Sequence, residues 1–225
     1  FPQSNRVVPG QSQRFFHHDL VVAAFAGILA PYDPVTVDFA AMLSKPSAQH
    51  WLGTDSFGRD VLSRLIYGSR TALFVGFGAA FIGATAGAVL GVGSAYFGGR
   101  LDLYTQRLMD IFLSFPLIIL ALAIVAIMGN AIHNLVIAIT IPMIPRCALV
   151  IRSSALSIRE MPYVDAARAA AFGHARIILR HMLPNVMAPF LILITSFLGQ
   201  AILLESSLSF LGLGVQEPTA AWGLM

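Results

Sequence analysis

Long apolar runs separated by short charged segments set the pattern of this chain. No charged residue occurs from Thr71 to Gly99, Asp110 and Arg146 enclose a second uncharged stretch, and Arg180 and Glu205 enclose a third. A helix of about 20 apolar residues crosses roughly 30 Å of hydrocarbon, so each run is long enough to span a membrane. The middle run is too long for one helix. Gly129-Asn130 and His133-Asn134 predict a tight hairpin inside it, between spans at 111–128 and 132–151. Four spans follow from this reading. A fifth candidate, Leu20 to Tyr32, is too short to cross unaided. Extended back through Phe15, Phe16 and the His17-His18 pair it could cross, with the charge of Asp19 as a cost.

Composition agrees with a lipid-facing surface. Hydrophobic residues make up 57% of the 225 positions and charged residues 11%, against roughly a quarter charged in an ordinary water-exposed domain. A chain with so few charges cannot cover itself in water. The formal net charge of +3 is too weak a bias to indicate nucleic acid, and its meaning lies in where the charges fall. Segment 31–70 balances Lys45, Arg59, Arg64 and Arg70 with Asp33, Asp38, Asp55 and Asp60. Segment 152–184 carries Arg152, Arg159, Arg168, Arg176 and Arg180 against Glu160 and Asp165, and the turn 98–108 carries Arg100 and Arg107 against Asp102. By the positive-inside rule the last two are cytosolic, with the N-terminal segment 1–19, which holds Arg6 and Arg14. Segments 31–70, 129–134 and 206–225 then lie outside. The predicted organisation is a cytosolic segment 1–19 followed by a transmembrane domain over 20–225.

Several chemistries are not indicated. The sole lysine, Lys45, has no glycine frame around it, so no G-x-x-x-x-G-K-[ST] phosphate loop exists and ATP is not expected on this chain. Six histidines are scattered at 17, 18, 50, 133, 174 and 181 and predict no metal site. The single cysteine, Cys147, reads as a packed small residue within an apolar run. No nucleophile elbow occurs, so an enzyme is not expected. Gly83, Gly87 and Gly91, flanked by Ala79 and Ala95, form a stripe of small residues on one helix face, a signal for close helix packing in lipid. No residue identifies a substrate-binding site.

The most informative segment lies between the last two spans. In Ser153 to Gly173, Pro162 suits a first helical turn, Ala166 to Ala171 is strongly helix-forming, and Gly173 is expected to end the helix. A helix of about ten residues is marginal alone in water, so something must hold it. The run Tyr163-Val164-Asp165-Ala166-Ala167-Arg168, followed later by Leu183-Pro184, resembles the "EAA" loop of ABC importer permeases. There, the resemblance implies, Tyr163, Val164, Asp165, Ala166, Ala167, Arg168, Ala170, Ala171 and Gly173 form a coupling helix that sits in a groove of a cytosolic ATPase. Asp165 stands where the family usually has Glu, and Ala171 where it usually has Gly.

Two further stretches narrow the likeness. His50 to Gly68 is similar to the external segment of the second permease of dipeptide, oligopeptide and nickel importers, and Leu208 to Gln216 resembles the loop after that family's fifth span. Ala30 to Pro34, Tyr96 to Gly99 and Arg159-Glu160 add to it. The resemblance implies an all-α polytopic transmembrane bundle of type I with five to six spans in the complete protein, located in the bacterial plasma (inner) membrane. It implies a homologous second permease, two cytosolic ABC ATPases that carry ATP and Mg, and an external substrate-binding protein as partners, alongside membrane lipid and without nucleic acid. Small peptides are the expected cargo, with nickel complexes or haem as alternatives. Family members have a full first span and a sixth span after the Trp222-Gly223 region, so the sequence is expected to be incomplete at both ends. A secondary transporter driven by an ion gradient is the competing class. It would place charges at mid-membrane, whereas Asp110, Arg146 and Glu205 are expected at span ends.

Overall fold

A computed structural model describes residues 22–225. Segment 1–19 and the backward extension of the first candidate span through residues 15–19 lie outside the described residues. Among the described residues there is no strand, only an isolated antiparallel bridge between Thr54 and Asp60. Helices supply the rest of the regular structure, as composition and periodicity require. The described residues divide into two compact units, 22–74 with 215–225, and 75–214.

In the first unit, the described part of Leu20–Tyr32 is short helical turns ending with Ala26–Leu29. Their carbonyls at Ala23 and Ala24 accept hydrogen bonds from the Arg70 guanidinium at 2.6 and 3.1 Å. Residues 31–60 are largely irregular and are held by side chains. Arg59, almost fully buried, donates to Asp55 at 2.7 Å and to both carboxylate oxygens of Glu217 at 2.9 and 3.2 Å. The Glu217 loop is tied further by Thr71 donating to the Ala220 carbonyl and by the Trp222 indole donating to Leu65. Asp60 accepts from the backbone and hydroxyl of Ser63 and pairs with His50 at 3.0 Å. Burial raises the pKa of Asp55, but the backbone N–H groups of Arg59 and Phe57 and the Arg59 guanidinium outweigh it and hold the carboxyl below its usual range.

Five longer helices and one short one follow the irregular segment: α1 (Val61–Phe97), α2 (Gly99–Leu113), α3 (Leu117–Met128), α4 (Ile132–Arg159), α5 (Pro162–Ala169) and α6 (His174–Phe210). α1, α4 and α6 are each long and apolar enough to cross a membrane. The span expected at 111–128 is instead broken: α2 and α3 meet at an angle of 88° across Ser114, Phe115 and Pro116. Pro116 cannot donate to the helix ladder and disfavours helical backbone at the residue before it, which stops α2. α3 alone is about 18 Å long and spans only together with α2. The expected turn at 98–108 is correspondingly the first part of α2. The hairpin after α3 falls where Gly129 and Asn134 predict it. Asn134 Nδ2 donates to the last α3 carbonyl, Met128, at 2.6 Å.

Helices also continue through charges that bounded the expected spans. α1 begins at Val61, so Arg64 and Arg70 are helical, and α4 runs on to Arg159. Arg146 therefore does not lie at a span end. It occupies the midpoint of α4, because the helix extends well past 151. Glu205 is fully buried within α6 and bonds Ser209 at 2.9 Å, while Asp110 is exposed on α2 beside Arg107.

α4 is the central helix of the second unit, packed by α2, α3 and α6. Of its most apolar window 61% is buried, against 22% for α6, whose outward residues such as Leu191 and Ile192 are left to lipid. α1 reaches α4 through its small residues. A Cβ added at Gly87 would lie 2.5 Å from the Cys147 Cβ and 2.7 Å from the Ile144 carbonyl. At Gly91 it would meet the Ala148 carbonyl at 2.6 Å, and at Gly83 the Met143 Cβ at 3.2 Å. Any side chain there forces the backbones apart, so the Gly83, Gly87 and Gly91 stripe sets the separation of α1 and α4. Pro142 and Pro145 are buried inside α4 without ending it, as neighbouring helices in a membrane bundle permit.

Candidate functional site

α5 is the short helix after α4, and its sequence explains both ends. Met161 is the N-cap, Pro162 occupies the first turn where its missing N–H costs nothing, and Asp165 complements the positive end of the helix dipole. The helix ends at Ala169 with Ala170 as C-cap, rather than at Gly173. Ala171 takes a left-handed φ of 57°, its N–H bonding the Arg168 carbonyl at 2.9 Å, while the Phe172 N–H bonds Ala167 at 3.1 Å. This paired arrangement is a Schellman motif, whose left-handed position usually holds glycine. Here an alanine holds it. Gly173 has extended backbone and instead caps the N-terminus of α6.

The two faces of α5 differ. Val164 and Ala167 are buried, one turn apart, against the end of α4 and the first turns of α6. Pro162, Tyr163, Asp165, Ala166, Arg168, Ala169, Ala170 and Ala171 are exposed. Ala167 is therefore part of the chain's own packing and not of a surface that another subunit could touch. Of the residues that the resemblance assigns to the coupling helix, Val164 and Ala167 are thus turned inward by their i, i+3 spacing.

A network of polar and aromatic contacts joins this helix to the ends of the long ones. Arg168 bonds Asp165 at 3.0 Å and lies 5.9 Å from the ring of Tyr96 on α1. Tyr96 Oη is 2.7 Å from His174 Nδ1 at the start of α6. Arg159, at the end of α4, donates to the Ala95 carbonyl of α1 at 2.9 Å. Arg152 of α4 grips Asp102 of α2 through two bonds of 2.6 Å. On the other side His181 faces the rings of Tyr163 and Phe172, and Arg176 stacks 4.0 Å over Phe172.

The start of α6 is itself irregular. Residues Ile178–Met182 form a π turn, and Asn185 Nδ2 donates to the His181 carbonyl at 2.6 Å. Pro184 accounts for this: lacking an N–H, it leaves the Arg180 carbonyl without its helical donor, and its ring would clash there. One wide turn relieves both problems. Tyr96, His174 and the Asp102–Arg152 pair carried no signal in their sequence spacing, because residues from four helices meet only in the fold. Among the described residues no three His, Cys, Asp or Glu side chains gather to hold a metal ion.

Residues 83–225 match the family model described as binding-protein-dependent transport system inner membrane component. Similar chains include a dipeptide transport system permease protein of Alkalihalophilus pseudofirmus, 42% identical over 206 residues, which cover 92% of this chain and 68% of the relative. A glutathione transport system permease protein of Escherichia coli is 40% identical over 207 residues, with 92% and 68% covered.

Proposed function

The chain belongs to the family of binding-protein-dependent transport system inner membrane components, the multi-pass permeases of ABC importers, and from that premise we propose that it imports small peptides. In this reading it pairs with a homologous second permease, and cargo delivered by an external binding protein passes between the two. Two cytosolic ATPase subunits bind and hydrolyse ATP with Mg, and this chain performs no chemistry on either cargo or nucleotide. The names of the dipeptide and glutathione relatives support the cargo class.

The observation that carries the mechanism is the dual character of α5. Its outer face, Asp165, Ala166, Ala169 and Ala170, is small-surfaced and open to a partner. Its inner face and flanks are tied to α1, α4 and α6 through Val164, Ala167, the Arg168–Tyr96 contact and the Tyr96–His174 bond. Closure of the ATPases on ATP would displace α5, and these ties would pass the displacement to three long helices together. The bundle then alternates between inward-open and outward-open forms. Orientation follows the charge pattern, with segment 152–184 cytosolic.

Reconstitution tests the reading. The complete importer in proteoliposomes should take up a labelled dipeptide only with the external receptor, ATP and Mg present, and a protonophore should leave the rate unchanged. Uptake that persists without ATP and collapses with the protonophore would place the protein in the ion-gradient class instead.

A further inference from the structure

Three arginines lie on α4, and two have partners: Arg152 pairs with Asp102, and Arg159 bonds the Ala95 carbonyl. The third, Arg146, is exposed at the helix midpoint and makes no hydrogen bond or ion pair within the described residues. Its guanidinium stays charged in any protein environment. An unpaired cation facing hydrocarbon is strongly disfavoured, so such residues face a bundle interior or a water-filled cavity.

The surroundings of Arg146 are those of a path. It lines an open groove of about 360 Å³ with Gln200 of α6, Leu203, Leu204, and Pro116 and Leu117 at the break between α2 and α3. Gln200 adds a neutral donor and acceptor to an otherwise apolar wall. Exposed Ser153 and Ser157 continue the same face of α4 at helical spacing toward the α5 end. On the Arg146 face toward the start of α4, Ile139, Pro142 and Met143 are buried and Ile132 is the exposed residue, so the polar strip begins at this arginine.

We infer that Arg146, with Gln200 beside it, is a station on the translocation path that receives the carboxylate of the passing peptide. The inference rests on the reading of the chain as part of a peptide importer. A guanidinium offers a carboxylate two parallel hydrogen bonds. The groove is open and holds a single cation, so the cargo is drawn to mid-path without being trapped, as transport requires of any intermediate site.

The test uses the full importer in proteoliposomes and has two arms. In a Cys147→Ala background, Arg146→Cys should be labelled by the membrane-impermeant thiol reagent sulfonatoethyl methanethiosulfonate. Absence of labelling means a lipid-facing or partner-covered position and overturns the assignment, whatever the cargo. In the second arm, Arg146→Gln should lower alanyl-alanine uptake about tenfold, while Arg146→Lys, which keeps the charge, stays within about threefold of the parental rate. Parental uptake by Arg146→Gln, or equal losses in both variants, would refute the carboxylate station. A parental complex that takes up no peptide counts against the peptide reading, and the labelling arm still decides whether Arg146 lies on an aqueous path.

Discussion

Replacing Ala171 with glycine should strengthen the turn that ends α5. The left-handed backbone at this position, φ 57°, sets an alanine Cβ against the following carbonyl, at a cost of about 1–2 kcal/mol. Glycine removes that cost but brings about 0.4–1 kcal/mol of extra unfolded-state entropy. The net gain is about 0.5–1 kcal/mol, equivalent to a two- to fivefold shift in the local opening equilibrium. The two hydrogen bonds that report it are Ala171 N–H to Arg168 and Phe172 N–H to Ala167. Amide hydrogen exchange read by mass spectrometry over residues 166–173 should therefore slow two- to fivefold in Ala171→Gly. Ala171→Val, whose branched side chain tolerates this backbone less well, should accelerate it. Unchanged or faster exchange in the glycine variant would show that residue 171 is not left-handed and that the helix ends elsewhere.

Other expectations follow from packing and charge. Gly87→Ala should destabilise the detergent-solubilised protein by about 1–3 kcal/mol, because its Cβ would meet backbone atoms of α4. Gly93→Ala, with nothing within 4 Å of the added Cβ, should be neutral or stabilise by up to about 1 kcal/mol, and thermal melting distinguishes the two. Arg59→Ala should cost about 1–3 kcal/mol, since it removes the hydrogen bonds to Asp55 and Glu217 while Arg64 stays 3.4 and 3.9 Å from the same two carboxylates. The lowered pKa of Asp55 means that its contribution is present above the usual carboxyl value of 3.8 and is lost as pH falls through the depressed folded value. The segment around Asp55 should thus loosen below about pH 4 in a proteolysis assay, and Asp55→Asn should abolish that dependence. For sidedness, a cysteine at Ala169 should react with an impermeant reagent only from the cytosol and one at Ser47 only from outside, in a Cys147→Ala background; the converse pattern would reverse the topology.

Much of the fold was legible because lipid makes hydrophobicity a direct measure of span position. The three long helices and the hairpin at Gly129 follow from uncharged runs and turn residues. Charge counting failed at helix ends, where Arg64, Arg70, Arg152 and Arg159 each reach a carboxylate or a carbonyl and so remain helical. The break at Pro116 carries no hydropathy signal, because its flanks are as apolar as any span. At α5, the helix and its Asp165 were readable from local propensity. Its orientation was not: which alanines face inward depends on Tyr96, His174 and the α6 π turn, which the chain brings together from distant positions. The depth of Arg146 was likewise hidden, because a charge in a sequence marks a span end until the helix is seen to continue.

The central claim is that the outer face of α5 receives the ATPase while its inner face moves the bundle. Ala166 is exposed on that outer face, so Ala166→Trp should leave membrane insertion and the bundle intact. In the assembled importer it should abolish both copurification of the ATPase subunits and ATP-dependent peptide uptake. A variant that inserts normally, retains its ATPases and transports at the parental rate would contradict the account, leaving α5 a linker between two spans.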